Sequence, residues 1–110
     1  MAHQNLTIVR GDTFSFGIEI EGLNQDLDSA YFTCKANYTD DINVFQKSLG
    51  NGITRSDTGR YVVRIAPEDT AELEPGKYFY DFVIGANGDI FTVLIGMLDL
   101  IHNVTVKGVI

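Results

Sequence analysis

Tryptophan is absent from this chain of 110 residues, cysteine occurs once, and eight basic residues stand against fifteen acids. A lone Cys34 excludes an intrachain disulfide framework and any zinc site built from several thiolates. The shortage of bases leaves a net charge of −7, with lysines and arginines scattered from Arg10 to Lys107. Phosphate neutralisation needs a cationic stripe, so no nucleic-acid partner is expected, and the acid excess serves solubility. No run approaches the ~18 apolar residues of a membrane helix. The start, Met1-Ala2-His3-Gln4-Asn5, lacks the basic and apolar regions of a secretory signal. Neither membrane contact nor export is expected, and synthesis in the cytoplasm fits best.

What is present is apolar residue in alternation. Hydrophobic residues make up 45% of the chain, enough for one core in a single domain spanning 1–110. Phe14, Phe16, Ile18 and Ile20 alternate with polar residues or glycine, as do Phe32, Cys34 and Ala36; Tyr61, Val63 and Ile65 alternate with Arg60, Val62 and Arg64. Period two marks strands with one face buried. Asn5 to Val9 and Val44 to Leu49 add two more, and turn residues separate the runs.

Ala86-Asn87-Gly88-Asp89 is a two-residue hairpin signal, because Asn-Gly suits the positive φ of a type I′ turn. That turn sets Ala86 opposite Asp89, and continuing the register sets Ile84 opposite Phe91, Phe82 opposite Val93, Tyr80 opposite Ile95 and Tyr78 opposite Met97. Val83, Asp81 and Phe79 then share the other face with Thr92, Leu94 and Gly96. The inward phase switches after Met97 to Leu98, Leu100, Val104 and Val106, which places a β-bulge near 96–98. A short helical turn is expected over 67–73, opened by Pro67 with acids behind it and closed by Pro75-Gly76. The expectation is an all-β protein: an immunoglobulin-like antiparallel β-sandwich of about 7–8 strands, with Tyr78 as a tyrosine corner. Antibody domains carry a disulfide cysteine two residues after that tyrosine. Here Tyr80 stands there, and aromatic packing must replace the bridge.

No catalytic set assembles, so no enzyme and no cofactor are expected. Cys34 lies on an apolar phase and reads as an inert core thiol. His3 and His102 lie far apart with no metal-ligand spacing, and Asp26, Asp28, Asp40 and Asp41 read as turn residues. Asp57-Thr58-Gly59 and Arg10-Gly11-Asp12 read as turns, not as a protease or adhesion motif, and the three Asn-x-Thr sequons carry no weight without export. Two surface hypotheses remain. Phe79, Val83 and Leu94 make the wet face of the last hairpin partly apolar, a candidate protein interface. Tyr31 and Tyr38 are candidates for stacking on a sugar, weakened by the missing tryptophan.

The order of signals resembles a family of small phage virion proteins with immunoglobulin-like folds, among them N-terminal domains of upper baseplate proteins and head-fibre or tail accessory proteins. The resemblance rests on Arg10-Gly11-Asp12-Thr13-Phe14-Ser15-Phe16, Phe32-Thr33-Cys34-Lys35, Val44-Phe45-Gln46-Lys47-Ser48, Ile65-Ala66-Pro67-Glu68-Asp69-Thr70, Leu73-Glu74-Pro75-Gly76-Lys77-Tyr78-Phe79-Tyr80-Asp81, Gly96 and Val104-Thr105. It implies a non-enzymatic structural part of a virion (baseplate, tail, neck or capsid). Such a part packs against other virion proteins and against copies of itself, with no small-molecule ligand.

Overall fold

Each alternating run becomes a strand. The computed structural model describes residues 2–23 and 25–105. In chain order the elements are β1 (Ala2–His3), β2 (Leu6–Val9), β3 (Phe14–Glu19), β4 (Ser29–Lys35), β5 (Phe45–Leu49), β6 (Gly52–Asp57), β7 (Arg60–Ile65), α1 (Pro67–Thr70), β8 (Gly76–Ala86) and β9 (Asp89–Ile101). The strand count exceeds the expected 7–8 because Ala2–His3 forms a short additional strand ahead of the run expected at Asn5 to Val9. Both β1 and β2 pair parallel with β9.

The hydrogen-bonded order is β1-β9-β8-β4-β5-β6-β7-β3, with β2 also on β9. The ribbon folds over between β5 and β6, whose parallel contact is limited to Ser48 with Gly52 and Leu49 with Ile53. A larger sheet, β1/β2-β9-β8-β4-β5, therefore covers a smaller one, β6-β7-β3. The two are held together by Phe32 of β4, whose ring meets Phe16 of β3 at 5.7 Å edge-on and stacks on Tyr80 of β8 at 5.0 Å. Phe32, Phe82, Cys34, Ile53, Val63 and Ile65 are fully buried. This is the immunoglobulin-like sandwich that the alternation implies.

The tyrosine corner is present: the Tyr78 hydroxyl donates to the Glu74 carbonyl oxygen at 2.6 Å. The helical turn before it is shorter than expected, four residues ending at Thr70 and continuing as turns. Its first turn is held by Asp69, which accepts from the Ala66 N–H at 2.7 Å. Thr70, wholly buried, accepts at Oγ1 from the Gly11 N–H and ties the crossing to the β2–β3 turn.

The hairpin turn forms as expected, with Asn87 at φ 58 and Gly88 at φ 83. The register beyond it does not. Ala86 faces Asp89, Ile84 faces Phe91 and Val83 faces Thr92, but Phe82 then faces Leu94, Tyr80 faces Gly96 and Tyr78 faces Leu98. The bulge thus falls at Val93, not near 96–98. A break at Val93 turns Leu94, Leu98 and Leu100 inward on one unbroken phase, so the apolar run needs no second break. Leu94 is buried at 6% exposure, and its assignment to an outer interface is corrected. Gly96, expected under Phe79 on the wet face, lies on the core side opposite Tyr80. Val104 is fully exposed instead of inward. Val106 lies outside the described residues.

Candidate functional site

The pairing of β4 with β8 decides which side chains meet on the outer face of the larger sheet. Tyr31 lies opposite Val83, Thr33 opposite Asp81, and Lys35 opposite Phe79. All belong to the phase that alternates with buried Phe32, Cys34, Tyr80 and Phe82. Across β9 the same face continues through Ile95 and Met97, paired with Asp81 and Phe79.

Two of the three expected interface residues, Phe79 and Val83, are therefore on one surface with both expected sugar-stacking residues, Tyr31 and Tyr38. Tyr38 arrives from the β4–β5 loop, and its ring packs on Phe79 with centroids 4.1 Å apart. The loop is folded by Asp40, whose carboxylate accepts from the Asn37 N–H and whose carbonyl accepts from Lys35 Nζ at 2.7 Å. Even so, Tyr38 is 72% exposed, so one face of its ring stays open.

Beside this aromatic pair is a hollow of about 350 Å³ lined by Thr33, Lys35, Tyr38, Phe79, Asp81 and Ile95, among others. Asp81 is its chemical centre. Burial raises the Asp81 carboxyl above its ordinary value, and the positive charge of Lys35 pulls it partly back. Lys35 Nζ donates to the Asp40 carbonyl, and no hydrogen bond to the Asp81 carboxylate forms among the described residues. A half-buried carboxylate without a donor favours a partner that brings one.

Sequence reasoning missed Lys35, Asp81, Thr33 and Ile95 as members of one site. The outward phase of Thr33, Lys35 and Asp81 was visible, but which strands are neighbours was not, and the misplaced bulge had put Ile95 on the inward face with Tyr80. Elsewhere, Cys34 is fully buried and its thiol is pushed up to about 12 by desolvation, which suits an inert core residue. His3 and His102 are exposed. Among the described residues no group of three or more His, Cys, Asp or Glu converges on a point, and no helix is long and apolar enough to cross a membrane.

No protein-family model matches the chain, and no curated protein matches it by sequence. Among solved structures it is similar to the extracellular domain of the voltage-gated sodium channel β4 subunit, described as forming parallel homodimers that explain a role in cell–cell adhesion. The superposition covers 94% of this chain and 95% of that one, with a TM-score of 0.50 and 11% sequence identity. At that identity the likeness establishes the immunoglobulin-like fold alone.

Proposed function

We propose that the chain is a non-enzymatic assembly module that works by protein–protein packing, through the outer face of its larger sheet. The observation that carries this is the clustering of Tyr31, Tyr38, Phe79 and Val83 around a half-buried, donor-free Asp81. Aromatic residues are enriched at interface centres, tyrosine among the hot spots, and a half-buried carboxylate beside them gives a partner's donor one specific point to meet. The partner is a second copy of the chain, which uses one patch twice across a two-fold axis. The sodium channel β4 domain, a fold neighbour, also pairs with itself. The setting is a bacteriophage or prophage virion, where other virion proteins are further partners and the chain resides after synthesis in the host cytoplasm. That setting is supported by the motif order from Arg10 to Thr105 that resembles small virion proteins.

The test is sedimentation equilibrium from micromolar to millimolar concentration. Association is expected to weaken at least tenfold in Phe79→Asp and Val83→Asp. Asp81→Asn separates binding from folding. The Asp81 pKa is raised in the folded chain, so its charge costs stability as pH rises through that value; removing it should stabilise the fold at neutral pH while weakening association. A strict monomer at millimolar concentration that captures no other virion protein would refute the proposal. The open ring of Tyr38 beside the hollow also favours a second reading, a carbohydrate-binding module. Titration with cell-wall polysaccharide, with Tyr31→Ala and Tyr38→Ala as controls, decides between the two.

A further inference from the structure

A second surface lies along the end strand of the smaller sheet. The smaller sheet ends at β3, which pairs with β7 and has no neighbour on its other side among the described residues. The Ile20 N–H donates to the Gly59 carbonyl at 2.8 Å, in phase with the β3–β7 register. Antiparallel pairs alternate between bonded and unbonded, so Phe14, Phe16 and Ile18 bond to β7. Ser15, Gly17 and Glu19 direct their N–H and C=O groups to the open edge.

The side chains along this edge are incompletely covered too. Phe14, Phe16, Ile18 and Ile20 carry the core phase of β3 yet are only half-buried. Between them and the β1/β9 side runs a groove of about 520 Å³, lined by Phe16, Ile18 and Ile20 on one wall and Gln4, Val93 and Leu94 on the other. The segment that could have closed it is fixed elsewhere. The Tyr80 hydroxyl donates to the Gln4 carbonyl at 2.6 Å, the Gln4 N–H to Ile95 at 2.9 Å, and the Met97 N–H to Asn5 Oδ1 at 3.0 Å. The N-terminal strands are thereby committed to β9.

The rim of the groove is acidic. It includes Glu19, whose contact with Arg60 is exposed and 3.7 Å long, and Glu21, which forms no ion pair among the described residues. A second copy docking antiparallel on β3 about Gly17 would set Glu19 against Ser15 and bring this acidic edge no cation, since residues 13–21 hold no base.

The geometry points to the β3 edge as a docking site for an extended segment of a partner protein that alternates apolar and basic residues. The segment adds as a strand beside β3, bonding Ser15, Gly17 and Glu19, burying its apolar side chains on Phe16, Ile18 and Leu94, and pairing its cations with Glu19 and Glu21. Strand addition of this kind takes affinity from main-chain bonds and selectivity from alternate side chains. The surface is separate from the face proposed for self-association.

The test uses the full chain, labelled with nitrogen-15, titrated with acetyl-Lys-Val-Lys-Val-Lys-Val-Lys-amide and with the same peptide carrying glutamate for lysine. With the lysine peptide, the amides of Ser15, Gly17 and Glu19 should shift and gain protection from exchange. The glutamate peptide should bind at least tenfold more weakly. Gly17→Pro removes an N–H on the open side only, and a Cβ at that position meets just the Tyr61 carbonyl at 3.8 Å. It should weaken binding at least tenfold while sparing the β7 ladder. The Glu19→Lys, Glu21→Lys double variant, which leaves the backbone alone, should reverse the preference between peptides. No shift at millimolar peptide, equal response to both peptides, or shifts confined to the outer face overturns the inference. So does protection of the three amides in the free chain, which would mean that the edge is closed by a copy of itself.

Discussion

At the scale of single residues, the missing disulfide is replaced by rings. Antibody domains pack a tryptophan against their bridge; here Phe32 lies between Phe16 and Tyr80. Two aromatic contacts at about 0.5–1.5 kcal/mol each beyond burial sum to about 1–3 kcal/mol, which overlaps the lower half of a typical bridge's ~2–4 kcal/mol. Tyr80 has a second task, its hydroxyl bond to Gln4, and this requires Gly96. A Cβ at Gly96 would stand 1.8 Å from the Gln4 carbonyl oxygen, which is backbone and cannot swing aside. Gly96→Ala is therefore expected to cost more than Tyr80→Phe, which forfeits one hydrogen bond worth about 1 kcal/mol. Urea unfolding of the two variants measures this; equal losses would show that close approach at Gly96 does not hold the N-terminal strand. Tyr78, Tyr80 and Cys34 were legible from phase and spacing alone. Gly96 was not: a glycine in a strand signals close approach of something, and nothing in the sequence says that it is Gln4.

At the scale of elements, local chemistry was readable and long-range pairing was not. The Asn87-Gly88 turn is fixed by two positive φ values and appears where expected. The bulge depends on which of several consecutive apolar residues (Val93-Leu94-Ile95) face a core built by distant strands, so its position escaped, and Leu94 with it. Lys47 shows the same limit. It lies on the inward phase of β5, opposite buried Phe32, and its ammonium meets Asp69 of α1 at 2.6 Å, with side chains 12% and 15% exposed. Gly52 leaves room for its stem, since a Cβ there would come within 2.6 Å of Lys47 Cδ. Asp69 also holds the first turn of α1, so this pair ties the sheet's fold-over to the crossing turn. Removing one partner of a largely buried pair costs more than removing both. Asp69→Ala is expected to lose about 3 kcal/mol, and adding Lys47→Met should recover part of it. Thermal unfolding of the single and double variants checks this, and strictly additive losses would deny the coupling.

At the scale of the whole molecule, the question is whether the two sheets unfold together or apart. Their hydrogen-bonded link is two residue pairs long, which by itself permits separate opening. Against it stands a core that crosses the interface: Phe32 contacts Phe16, and the Tyr61 hydroxyl of β7 accepts from the Leu27 N–H before β4. Opening the sheets exposes several fully buried aromatic and branched side chains at roughly 1.5–3 kcal/mol each, far more than two ladder contacts. The core therefore wins, and the chain should behave as one cooperative unit. Cys34 tests this without added probes. It is fully buried with its thiol pushed up to about 12, so the folded chain should not react with a thiol reagent at pH 8. Labelling then reports opening, and the free energy from its rate should match the urea value within about 1 kcal/mol. A labelling free energy several kcal/mol lower would mean that the larger sheet lifts from the smaller without global unfolding. The open edge of β3 would then belong to a movable layer, not to a rigid docking surface.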